Sequence, residues 1–233
     1  MVPTAALILT DDSGARFDGV MLNERAALAA HDAGVSVVTF TGRVQPDLTM
    51  LRRLRSRGIA AVNQLGWPRL FASVPAAHLL VIVDARTIIE PGVIEGAIAA
   101  AAWSRESAVM AVSLGPRRKN SLIGVAAGRV RSVMGDGNAM SAGVTVVPEP
   151  LLARLRGVRS MRDAVHRLAS SDSLRALPCE PFFCAPIGFG TDLVALEREY
   201  RAHRRRAAYA ALKRRLCHWP WLSRPGVVAP SLP

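Results

Sequence analysis

Asp84 is the side chain best placed to do chemistry. It closes an unbroken apolar run, residues 79–83 (LLVIV), and is followed by Ala85-Arg86 and, after residues 87–89, by Glu90-Pro91-Gly92. Five apolar residues make a strand and fall far short of the roughly eighteen that mark a membrane helix. A strand apolar on both faces belongs in the middle of a sheet covered by helices. Ligands of open α/β sheets sit beyond the carboxyl ends of strands, where Asp84 emerges. Two readings stand: the carboxylate holds a divalent cation, or it caps the turn that follows.

A second candidate is the first polar turn. Residues 4–10 (TAALILT) read as a buried strand that runs into Asp11-Asp12-Ser13-Gly14-Ala15-Arg16. A glycine-containing turn ahead of a helix, with a nearby cation, can hold an anion through backbone N–H groups. The other residue types point nowhere in particular. His31, His78, His166, His203 and His218 are scattered, and no Ser/His/Asp or Cys/His arrangement is legible. Cys179, Cys184 and Cys217 are an odd number without metal-ligand spacing, as expected of reduced thiols in a cytoplasmic protein.

The elements that must position these residues follow an alternating pattern. Residues 22–33 read as a helix ended by Gly34, 35–40 as a strand, 46–57 as a basic helix, 59–62 as a strand, and 93–103 as an Ala-rich helix behind Pro91. The expected fold is therefore α/β, a Rossmann-like three-layer sandwich with a mostly parallel central sheet. Strands at 108–114 and 139–148, a hairpin at 122–133, and helices at 149–154, 160–169 and 192–216 complete the chain. Residues 63–77, with Trp67-Pro68 and Leu70-Phe71-Ala72, read as a short helix or lid.

At 233 residues the chain has room for one sizeable α/β domain with an appendage, and the expected division is 1–200 and 201–233. Residues 5–9 are too short for a secretory hydrophobic region. The net charge is +12, with Lys119 and Lys213 the only lysines, so arginine dominates. Its basic clusters at 117–119 and 201–215 suit phosphates or an anionic membrane face rather than a specific nucleic acid. For the long C-terminal helix a solvated basic face is the plainer reading. Trp219, Trp221 and Leu222 beside it have the composition of an interfacial contact on the inner membrane face.

Two stretches carry a resemblance. The strand-Asp-Ala-x-Pro-Gly-helix unit around Asp84 is similar to the metal-binding strand end of enzymes with the glycosyltransferase-A type fold. Residues 9–17 (LTDDSGARF) lie in register on the L-A-A-G-x-G-x-R-(M/L) signature of nucleotidyltransferases, with Leu9, Gly14 and Arg16 matching. Residues 139–148 resemble the family's A-x-D-T-G-(V/I)-x-x-(L/F)-P strand, 160–165 its S-L-x-D-A-(V/I) element, and Asp192-Leu193 the start of its last helix. The chain thus resembles sugar-phosphate, polyol-phosphate or molybdenum-cofactor-type nucleotidyltransferases over most of residues 4–196.

The resemblance implies a nucleoside triphosphate and a small phosphorylated acceptor as partners, and Mg2+ as cofactor. Leu9, Gly14 and Arg16 would cradle the nucleotide, Asp84 would hold the metal, and Arg16 and Asp84 would serve the reaction, with Lys119 as a further cation. The chain also departs from the pattern. Asp11-Asp12 replace Ala-Gly, Val20 stands where the catalytic lysine belongs, Ser141 takes an acidic position, and Pro186 and Gly188 fall where later acids sit. A catalytically impaired nucleotide- or partner-binding relative is the alternative. A glycosyltransferase with Asp84-Ala85-Arg86 in place of Asp-x-Asp is the third.

Overall fold

The structure, a computed structural model, describes residues 4–10, 13–42, 46–64, 78–113, 123–133, 137–155, 157–158, 160–188 and 190–217. Of the short helix or lid expected over residues 63–77, the first two residues continue a strand and the rest lies outside these residues, as do the basic loop with Lys119, the Asp11-Asp12 pair and the tryptophan-containing tail.

Strand β1 (Thr4–Leu9) sits beside β4 (Val37–Thr41) on one flank and β6 (Leu79–Asp84) on the other, all parallel, and β5 (Ala60–Gln64) continues the row. Beyond β6 come β11 (Met140–Pro148), β8 (Ala108–Ser113), β12 (Leu174–Pro178), β10 (Arg129–Ser132) and β9 (Gly124–Ala126). The nine strands form one sheet in the order β5-β4-β1-β6-β11-β8-β12-β10-β9. Only β11 and β10 oppose the direction of the rest, so the sheet is mostly parallel.

The continuous apolar run of β6 is explained by its position. Leu79, Val81 and Val83 enter one core and Leu80 and Ile82 the other, each at most 2% exposed. The first core is covered by α1 (Leu22–Asp32), α2 (Leu48–Ser56) and α3 (Pro91–Trp103). The second is covered by a short helix, α4 (Glu149–Leu152), its 3-10 extension Ala153–Leu155, and α5 (Met161–Ser170). Helices on both faces of one sheet make the three layers the alternating pattern calls for.

Local chemistry sets the helix starts. Asp47 accepts the Met50 N–H at 2.6 Å at the start of α2, and Ser160 accepts the Asp163 N–H at 3.1 Å at the start of α5. Each is the side-chain oxygen that satisfies an orphan donor of the first turn. Two small two-stranded pieces, β2 (Arg16–Phe17) with β3 (Val20–Met21) and β7 (Thr87–Ile89) with β13 (Cys184–Pro186), add to the main sheet.

The chain divides into two compact units, Met1–Phe189 and Gly190–Pro233. Helix α6 (Leu193–Cys217) belongs to the second unit. Asp192 begins that helix by accepting the Val194 and Ala195 N–H groups, each at 3.0 Å. Among the described residues no helix is long and apolar enough to cross a membrane.

Candidate functional site

The carboxyl ends of β1 and β6 lie side by side. Leu9 and Asp84 are register partners, and the Ala85 N–H donates to the Leu9 carbonyl at 3.0 Å. Because the side chains of β6 alternate, Asp84 follows Leu80 and Ile82 onto the sheet face covered by α5. There it borders a cleft of about 580 Å³. Met110, Met140 and Met161 bring flexible apolar walls from β8, β11 and α5, and Arg162 adds a cation from the first turn of α5. Leu9, Gly14 and Arg16 are not among the residues that line it.

The Asp84 carboxylate is engaged by its own turn. Oδ1 accepts the Arg86 backbone N–H at 2.9 Å and Nε–H at 3.3 Å, while Oδ2 accepts Nη2–H at 3.2 Å. The acid therefore caps the turn, one of the two readings of its position, and also fixes an arginine. The Asp84 side chain is 28% exposed and that of Arg86 63%. Next to this pair the Ile187 N–H donates to the Arg86 carbonyl at 2.6 Å, so β13 closes over the turn.

A divalent cation takes about six oxygen ligands, typically with one or two carboxylates among them. Both oxygens of Asp84 already face a guanidinium, and among the described residues no group of three His, Cys, Asp or Glu side chains converges. Among the described residues, Asp84 with its guanidinium partner does not make a site for a resident Mg2+ ion.

The first turn is built differently from a loop that runs straight into a helix. Gly14 takes φ +64°, and the Ala15 N–H donates to Ser13 Oγ at 3.1 Å. The chain then folds into the β2–β3 hairpin about Asp18 and Gly19, both at positive φ (53° and 78°). An Asp-Gly pair is the sequence signal for such a two-residue turn, and it was there to be read. Phe17 is fully buried, with the Arg25 guanidinium 4.9 Å from its ring centroid. Arg16 is exposed and donates through Nη1 to the Gly19 carbonyl at 3.1 Å. Val20, where a lysine was expected, is the hairpin partner of Phe17.

On the other side of Asp84, β11 changes register between Ser141 and Thr145. Gly143 sits in that irregularity at φ +72°, and a Cβ there would come within 2.7 Å of Thr87 Cβ. Ser141 accepts the Gly143 N–H at 3.1 Å, so the residue at the expected acidic position shapes the strand and borders the cleft. Pro186 lines the cleft as well. Arg162 and the three methionines had no signal of their own, since elements distant in sequence bring them together.

No protein-family model matches the chain, and no curated protein matches its sequence. Solved structures do match. The inositol-1-phosphate CTP transferase from T. maritima superposes with a TM-score of 0.62 at 13% identity, over 84% of this chain and 95% of that one. The UDP-glucose pyrophosphorylase from Acinetobacter baumanii gives 0.60 at 11%, over 79% and 88%. HddC from Yersinia pseudotuberculosis gives 0.63 at 10%, over 86% and 100%. The protein has the glycosyltransferase-A-like α/β fold of these nucleotidyltransferases.

Proposed function

We propose that this protein binds a nucleoside triphosphate where β1 and β6 end, and transfers its nucleotidyl group to a sugar or polyol phosphate in the adjoining cleft. An oxygen of the acceptor phosphate attacks the α-phosphorus and pyrophosphate leaves, one P–O bond forming as another breaks. Such a transfer asks the protein mainly for positioning and for charge that offsets the phosphates. In this reading the Gly14 turn and Arg16 face the nucleotide, and Asp84 orders the strand end between nucleotide and acceptor.

One observation carries the reading: Asp84 is at once the register partner of Leu9 and a wall of the large cleft. The fold shared with an inositol-1-phosphate CTP transferase and a UDP-glucose pyrophosphorylase supports it. A second reading, nucleotide binding without transfer, is favoured by the place of Val20 in the hairpin, where it can offer no charge to a reacting phosphate. Arg86, in place of a second carboxylate, speaks against glycosyl transfer.

Incubation with ATP, CTP, GTP, UTP or dTTP and a panel of sugar and polyol phosphates, followed by pyrophosphate release, tests the proposal. Release with one nucleotide and acceptor class, lost in Asp84→Ala, is the expected result. Calorimetric binding without release on any pair would establish the second reading. No binding of any triphosphate would overturn both.

A further inference from the structure

We infer that the nucleotide phosphates at this rim are held by the Arg86 guanidinium in the role otherwise filled by a divalent cation, so that binding needs no metal ion. The inference rests on the nucleotide-binding reading above.

Asp84 presents its two oxygens to Nε and Nη2 of Arg86, at 3.3 and 3.2 Å. An ion entering here would have to displace a guanidinium and leave the arginine without its carboxylate, and among the described residues no group of three His, Cys, Asp or Glu side chains stands ready to hold the ion. Positive charge is instead supplied by the chain. The Arg86 backbone is fixed from both sides, its N–H by Asp84 and its carbonyl by the Ile187 N–H. The side chain is 63% exposed, within reach of a polyanion. A guanidinium presents a planar fork of donors that matches phosphate oxygens, and it needs no dehydration of an ion to do so. Arg162, on the first turn of α5, adds a second positive charge at the cleft. The Asp84–Arg86 pair thus works as a clamp: the acid orients the arginine, and the arginine faces the phosphates.

The consequence differs from that of a metal site. Magnesium neutralises a triphosphate in solution, so a guanidinium site should hold the free nucleotide as well as its magnesium complex or better. A carboxylate-and-metal site requires the ion. Calorimetric titration of the full chain with the best-bound triphosphate, once in EDTA and once in magnesium chloride, separates the two.

The expected result is a Kd in EDTA within about threefold of that in magnesium. Arg86→Ala should weaken binding in EDTA by about tenfold or more, with part of the loss regained on adding magnesium as Asp84 is released. Arg86→Lys should fall between the two, because it keeps the charge and loses the fork. Thermal unfolding of each variant confirms that it is folded. Binding that vanishes in EDTA overturns the inference and leaves the nucleotide reading standing. So does unweakened binding by Arg86→Ala in EDTA. No binding under either condition overturns both.

Discussion

Two residues near the site have roles that their sequence setting hides. Gly143 lies in the irregular stretch of β11 at φ +72°, with Thr87 occupying the space of its missing side chain. Gly143→Ala meets strain and contact together. It should lower stability by ~2 kcal/mol or more, read as a shift in the urea midpoint. Thr145, 1% exposed on the cleft-bearing face of the same strand, has a hydroxyl without a hydrogen-bond partner among the described residues. A buried polar group left unmade costs about 1–3 kcal/mol. Thr145→Val, which keeps the shape and removes the hydroxyl, should therefore raise the unfolding midpoint rather than lower it. Asp84 itself was legible from its place at the end of an apolar strand. Its partner was not, because nothing in Asp-Ala-Arg says whether the arginine turns back or points away.

At the level of elements, strand and helix order could be read from the chain because each long segment keeps its period. β6 is apolar throughout and is buried on both faces, and α5 has Ala164, Val165 and Leu168 on its core side behind a Ser160 cap. Ser160→Ala should cost about 1 kcal/mol, read from the same denaturant curves. The short pieces were missed. The β2–β3 hairpin has only Asp18-Gly19 to announce it, because two-residue strands have no periodicity to detect. β7 was passed over for a different reason: its partner, β13, lies about a hundred residues further on. Just ahead of β13, Cys179 lies beside Cys184. Cys184 donates its S–H to Cys179, and this hydrogen bond, helped by burial, pushes the Cys184 thiol far above the ordinary range, so little thiolate forms near neutrality. Iodoacetamide at pH 8 should modify Cys184 about tenfold or more slowly than a free thiol until urea is added, as followed by peptide mass analysis.

On the scale of the whole molecule, the two apolar cores draw on residues from Ala6 to Cys179, all ahead of the second unit. Residues 1–189 should therefore fold alone, with a cooperative melt within about 3 °C of the full chain, a shift of roughly 1 kcal/mol for a domain of this size. Helix α6 keeps Leu193, Leu196, Glu197, Tyr200 and His203 half-buried or buried on one face and is exposed from Arg204 to Ala211. The cleft was the least legible part of the molecule. Its walls come from β6, β8, β11, β13, α5 and the residues that flank the β9–β10 hairpin, and no local pattern foretells such a meeting. This construction has a dynamic consequence. The β1–β6 border belongs to a parallel block, whereas Met110 of β8, Val165 of α5, and Ile123 and Val133 on either side of the β9–β10 hairpin lie beyond β11. A small molecule filling the space would bridge the two halves and suppress their separate breathing. Amide exchange should then slow in Gly124–Ala126 and Arg129–Ser132 while Val37–Thr41 keeps its rate, which makes the far hairpin a remote gauge of occupancy.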